Sequence, residues 1–254
     1  MIITFLGTGT SQGVPVIACK CEVCRSLDFR NKRFRTSIHI AVDQKSFIID
    51  TGPEFRQQVL REGIDTLDAL IFTHEHKDHT AGLDDVRAFN YSQQKEMPLY
   101  GRKQVINQIR IEFAYAFAEH KYPGAPQLNT HIIENKPFIV EGIEFIPINV
   151  FHYRLPVFGF RIKDFTYITD ANRIDEEEKE KIKGSRVLVL NALQKSAHIS
   201  HFTLDEAIEL IQELGPEKAY LTHISHRMGT QKEVSKLLPP NIELAYDGLK
   251  VSIE

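Results

Sequence analysis

The chain has 254 residues, 42% of them hydrophobic, which is enough to bury a full core, and one large domain covering 1–254 is the expected organisation. Its 31 basic and 34 acidic residues leave a net charge of -3, so it does not coat nucleic acid through a general positive field, and an anionic substrate must be held locally. No apolar run approaches the roughly 20 residues that span a bilayer, and the opening MIITFLGTGT lacks a basic segment before a long apolar stretch. A cytoplasmic protein with no membrane partner is expected.

In chain order, hydrophobic patterning predicts strands at about 2–6, 37–42, 46–50, 69–73, 143–150, 158–162, 165–169, 186–190 and 219–222. Helical spacing predicts helices at about 54–62, 83–92, 103–118, 175–183, 203–214 and 230–237. Strands pair early and late with helices between, so an α/β protein with sheets covered by helices is expected. There is no long linker, low-complexity tract or repeat of fixed period.

The first glycine-rich segment, LGTGTSQG, is not a dinucleotide fingerprint, because Gln12 stands where the third glycine of GxGxxG belongs. Soon after comes CKCEVC, with Cys19, Cys21 and Cys24 too close together for an ordinary disulfide framework and suited to metal. A structural zinc needs a fourth ligand. His226, in THISH, supplies it if the N-terminal loop folds over the C-terminal segment.

The strand at 69–73 ends in THEHKDHT, which places His74, His76, Asp78 and His79 at a strand mouth. Alternation puts His74 and His76 on one side, and the turn that follows brings Asp78 and His79 to a second position. Imidazole and carboxylate suit zinc, manganese or iron, and two ligand sets a few residues apart suit two ions. Further candidates stand at other strand ends. His152 follows the apolar run 146–151, Asp170 follows Tyr167, Ile168 and Thr169, and His223 follows Ala219 to Thr222. A lone His or Asp there is ordinary surface or capping chemistry, but four strands ending alike are not.

In this order HEHKDH, His152, ITD and LTH resemble the five motifs of the metallo-β-lactamase fold, over nearly the whole chain. The resemblance implies an αβ/βα sandwich, two mixed sheets flanked by helices, with metals at one edge. It implies His74, His76 and His152 on one divalent ion, Asp78, His79 and His223 on the other, and Asp170 bridging. It further implies zinc or manganese as the ions and a bridging hydroxide as nucleophile. His76 stands where the flavodiiron branch has Glu, and no Cys lies near the second-metal motif where many β-lactamases use one, which leaves hydrolysis as the chemistry. The Cys3His arrangement is similar to that of the phosphoribosyl cyclic phosphate phosphodiesterases, in which a structural zinc lies beside the dinuclear centre.

Breaking a phosphodiester P–O bond requires protonation of the leaving alkoxide. HFTLDEA looks like the His-containing motif of the phosphodiesterase branch, which includes the tRNA 3' processing endonucleases, and it places His201 rather than His198 in that acid role beside Asp78 in the catalytic set. Thr203 and Glu206 also read as a helix capping box. Ile106, Ile109, Phe113 and Phe117 repeat at helical spacing, with Tyr115 and Tyr122 adding aromatic surface. This stripe serves as core or as a cap over the metals. Arg102, Lys103, Arg110 and Lys121 are too scattered for a basic RNA-binding arm. The expected partner is therefore a small, cyclic phosphodiester such as phosphoribosyl 1,2-cyclic phosphate. A tRNA-processing endonuclease and a noncatalytic metal scaffold are the alternatives. A nucleic-acid partner is disfavoured, and the sequence permits a homodimer without fixing the oligomeric state.

Overall fold

The computed structural model describes residues 1–254 and contains two mixed sheets packed face to face. From edge to edge, the seven-stranded sheet runs Lys250–Ser252, Ile2–Gly7, Ser37–Val42, Lys45–Ile49, Ala69–Ile71, Met97–Gly101 and Leu128–Ile132. The main path of the eight-stranded sheet runs Arg173–Ile174, Ile143–His152, Leu155–Ile162, Phe165–Ile168, Val187–Asn191, Lys218–Thr222 and Ile242–Leu244, with Phe138–Val140 paired to Ile143–His152. Both sheets follow one plan, an antiparallel portion that passes into a parallel one.

Sequence pattern explains the layering. Ile38, Ile40 and Val42 alternate inward on Ser37–Val42 and meet Phe158, Phe160 and Ile162 of the opposite sheet in a buried cluster of 24 residues. Val187–Asn191, an inner strand of the parallel portion, is buried throughout because helices cover its outer face. Leu204–Leu214 is one such helix. Thr203 and Glu206 close a capping box at its start, Gly215 ends it in the left-handed conformation, and Leu204, Ala207, Ile211 and Leu214 face the sheet.

The structure departs from the sequence expectation at several elements. The helix expected over 103–118 stops at Glu112, and a short 3-10 turn at Ala114–Ala116 follows. Ile106, Ile109 and Phe113 fill the outer core of the first sheet and Phe117 packs against it, so this part of the stripe is interior packing, while Tyr115 and Tyr122 are exposed. The helix expected over 230–237 is only Gln231–Val234. Strands at Met97–Gly101, Leu128–Ile132, Phe138–Val140, Arg173–Ile174, Ile242–Leu244 and Lys250–Ser252 lacked a sequence signal, because they are short and most lie at sheet edges.

Candidate metal centre

A parallel strand exhausts its apolar run in the core, and the next residue emerges at the rim beside its neighbours' carboxyl ends. Lys45–Ile49 delivers Asp50, Ala69–Ile71 delivers Thr73 and His74, Phe165–Ile168 delivers Asp170, and Lys218–Thr222 delivers His223. His152 closes the long antiparallel strand Ile143–His152, and His201 lies between Val187–Asn191 and the helix that begins at Leu204. Asp50, Asp170 and His223 all take left-handed φ values, 65°, 56° and 55°. Such backbone costs on the order of 1–3 kcal/mol per residue, which the surrounding sheets offset to aim these side chains.

Two donor groups meet at this rim. In the first, His74 Nε2 is 3.0 Å from His76 Nδ1, and the His152 ring centre is 5.2 Å from that of His76. In the second, His79 Nε2 lies 3.3 Å from Asp78 Oδ2 and 3.4 Å from Asp170 Oδ1, and His223 Nδ1 lies 2.9 Å from the same Asp170 oxygen. Asp170 Oδ2 faces the first group, 3.9 Å from His74 Nε2. One carboxylate therefore stands between the groups.

The remaining ring nitrogens are held from behind. His79 Nδ1 is 2.7 Å from Asp50 Oδ2, His74 Nδ1 is 2.9 Å from Thr73 Oγ1, and His152 Nδ1 donates to the Ser200 carbonyl at 2.9 Å. Thr73 in turn donates to Asp50 through both its N–H and its hydroxyl. Such partners fix ring orientation and tautomer. Sequence reasoning missed Asp50. The signal was present, because Asp50 ends the apolar run Phe47, Ile48 and Ile49 just as Asp170 ends Tyr167 to Thr169.

Electrostatics follow from this crowding. Burial drives His74 well below the ordinary imidazole range. Burial opposes a proton on His79 too, but Asp78, Asp170 and Asp50 together outweigh it and hold this residue well above that range. Asp170 is kept ionised against its own burial by His223 and His79. Meanwhile His79 Nε2 and His223 Nδ1 are buried without a hydrogen-bond partner. Orphaned nitrogens facing ionised carboxylates suit divalent cations, and the donor set fits that chemistry.

His201 is 7% exposed and packs beside this centre, its ring 4.5 Å from His152 and 4.7 Å from His223. Its Nδ1 has no partner, and burial followed by the His223 charge pushes its pKa down to about 3. His198 is exposed and sits behind His201, with ring centres 5.2 Å apart.

A separate cluster lies at the N-terminal loop. The sulfurs of Cys19, Cys21 and Cys24 stand 3.2, 3.4 and 3.7 Å from His226 Nδ1. Tetrahedral zinc with ordinary Zn–S and Zn–N bonds requires S···N edges of about 3.5 Å, so the donor set fits a structural zinc. Cys21 caps the short helix Glu22–Arg25, and the Cys24 N–H held by its sulfur lowers this thiol to about 6, while burial raises Cys24 to about 11.

Comparison with known proteins adds to this geometry. The beta-lactamase superfamily domain model matches residues 45–224. The chain belongs to the metallo-β-lactamase superfamily. The crystal structure of a new diphosphatase from the PhnP family superposes with a TM-score of 0.93 and 37% identity, covering 100% of this chain and 98% of that one. The chain thus resembles the PhnP family within that superfamily. Among curated proteins, an octanoyltransferase of Porphyromonas gingivalis is 41% identical over 252 residues, 98% of this chain and 51% of that protein. A ribonuclease Z of Staphylococcus epidermidis is 26% identical over 169 residues, 64% of this chain and 49% of that protein. The chain therefore spans about half the length of the curated relatives it matches.

Proposed function

We propose that this hydrolase cleaves a small phosphodiester, a cyclic sugar phosphate diester such as phosphoribosyl 1,2-cyclic phosphate being the preferred substrate. The observation that carries the reading is the pair of donor groups around Asp170, flanked by the unpartnered nitrogen of His201. His74, His76 and His152 would hold one divalent cation and Asp78, His79 and His223 the other, with Asp170 shared. Zinc and manganese both suit this donor set. When bound, two such ions supply Lewis acidity and lower the pKa of water towards neutrality. Asp50 and Thr73 keep His79 and His74 aimed, and the Ser200 carbonyl keeps His152 aimed. Cys19, Cys21, Cys24 and His226 would hold a structural zinc outside the reaction.

His201 is the group that returns a proton to the leaving oxygen. Burial and neighbouring imidazoles keep it neutral without substrate, and an anionic phosphoryl oxygen beside the ring favours its protonated form. Asp78, kept ionised chiefly by His79 against its burial, belongs to the same catalytic set as a fixed negative group.

The diphosphatase activity named for the PhnP-family relative is also hydrolysis at phosphorus, of a phosphoanhydride rather than an ester, and it supports the reading at that coarser level. RNA processing is the second reading, favoured by the ribonuclease Z similarity. Internal engagement of the relevant arginines weighs against it. Arg102 stacks 3.7 Å over Phe158, and Arg110 donates to Thr130 at 2.6 Å, so neither contributes to a free basic groove. Acyl transfer through a covalent intermediate requires an activated nucleophile, and all three thiols of this chain face His226.

The test is phosphorus NMR of the metal-loaded protein with phosphoribosyl 1,2-cyclic phosphate, a 2',3'-cyclic nucleotide and a tRNA precursor in parallel. Selective opening of the sugar cyclic diester is expected. Cleavage of the tRNA precursor with both cyclic diesters untouched overturns the reading in favour of RNA processing.

A further inference from the structure

Directly after Asp170 come Ala171 and Asn172, which grip two imidazole-bearing segments beside that carboxylate. The first is the end of Ile143–His152 and the turn beyond it. The Asn172 N–H donates to the Phe151 carbonyl at 2.9 Å, and Asn172 Oδ1 accepts from the Tyr153 N–H at 2.8 Å. His152 is thus bracketed by bonds to one residue. Tyr153 takes a left-handed φ of 57°, which costs on the order of 1–3 kcal/mol and persists only where the surroundings enforce it. The second segment carries His201. Asn172 Nδ2 donates to the Ile199 carbonyl at 3.1 Å, and the Ala171 carbonyl accepts from the Phe202 N–H at 2.8 Å. His201 is bracketed in the same way.

The clamp is itself anchored. Asn191, fully buried at the end of Val187–Asn191, accepts from the Ala171 N–H at 2.8 Å and donates to the Ala171 carbonyl at 2.9 Å. The segment it holds has little other support, since no helix or strand lies between Asn191 and Leu204 and the Ile199 side chain is exposed. Backbone bonds must therefore place His201. A carboxamide suits the task, because it offers a donor and an acceptor from one planar group, whereas a carboxylate cannot donate to the Ile199 carbonyl. The two segments also meet directly, through the bond from His152 Nδ1 to the Ser200 carbonyl, and Tyr153 and Ile199 both line a pocket of about 420 Å³ beside His76 and His152. Their separation sets the shape of the space next to the centre.

We propose that Asn172 is a positioning residue that fixes the His201 imidazole relative to His152, and with it the alignment of the proton donor with the leaving oxygen. The inference rests on the phosphoesterase reading of this centre. Asn172 acts through the backbone on either side of two histidines, so its loss leaves every donor atom present but widens the range of ring positions. A misplacement of about 1 Å can cost about 10²-fold in rate.

Asn172→Ala in the metal-loaded protein tests this. It is expected to keep the ions of the centre, to lower kcat for diesters with poor leaving groups by about 10- to 100-fold with KM changed less than about three-fold, and to spare activated nitrophenyl esters. In the His201→Ala background the same change is expected to cost less than about three-fold, because residues that act as a unit are not additive. Equal losses for both ester types, or an undiminished loss without His201, overturns the assignment. Amide exchange read by mass spectrometry needs no substrate. Faster exchange in peptides covering 152–155 and 198–203 is expected, with Val187–Asn191 still protected. Unchanged exchange in both peptides, or a rise throughout the sheet, overturns the assignment. If the wild-type protein hydrolyses no phosphodiester, the phosphoesterase reading fails, and exchange still decides whether Asn172 holds the two segments.

Discussion

The cysteine cluster and the histidine-rich centre lie close together but are built in opposite ways. Three of the four cluster donors come from residues 19–24, a stretch whose only regular element is Glu22–Arg25 and whose local core is Val14, Val23 and Cys24. The centre draws His74, His152, Asp170 and His223 from the ends of separate strands, backed by buried clusters of 24 and 23 residues. A loop with so little core would depend on a bound ion for its shape, whereas strand ends hold their shape from the sheets behind them. On the proposed reading, the comparison separates two uses of metal-binding chemistry, one that would organise chain and one that would act on a ligand.

The largest effect that sharpens the contrast is expected at His201. His201→Ala should lower kcat by about 10²- to 10⁴-fold for diesters with poor leaving groups, retain the ions of the centre, and spare activated nitrophenyl esters. Steady-state kinetics with paired leaving groups and metal analysis check this, and equal losses for both ester types remove His201 from the proton-donating role. Next is Asp50→Asn, which keeps the size of the side chain but removes the charge behind His79. A loss of about 10- to 100-fold in metal affinity or turnover is expected. Metal titration showing wild-type affinity, together with wild-type turnover, would sink the positioning role. The smallest effect on turnover is expected from Cys21→Ser, which should cost about one zinc per chain and speed amide exchange in residues 10–31 while the strands around 187–222 keep their protection. Exchange that rises equally in both regions, read by mass spectrometry, would break the comparison between ion-dependent loop and self-supporting sheet.

Much of this centre was legible because its ligands obey a local rule: an apolar strand ends and a His or Asp follows. The rule located His74, His152, Asp170 and His223, and the family resemblance divided them between two groups. Asp50 obeys the same rule and was missed, because it binds no neighbouring motif in sequence and meets His79 only through the parallel pairing of Lys45–Ile49 with Ala69–Ile71. In the fold, buried strands announced themselves by composition. Edge strands such as Leu128–Ile132, with Asn129, Thr130 and His131 in sequence, did not, because half of their surroundings are solvent. The break after Glu112 was equally hidden, since Ile106, Ile109, Phe113 and Phe117 keep helical spacing beyond the point where the helix stops.

Only Ile224 and Ser225 separate His223, which faces Asp170, from His226, which faces the three sulfurs. The Ile224 N–H is bonded to the Thr8 carbonyl and its own carbonyl accepts from Thr10, so the connection is pinned along its length. This short strut acts as a ruler between the two donor sets. Its side chains can change, but adding or deleting a single residue would move one imidazole off its partners whichever end stayed in place. The two clusters are therefore bound to a common length, and neither can drift along the chain without the other.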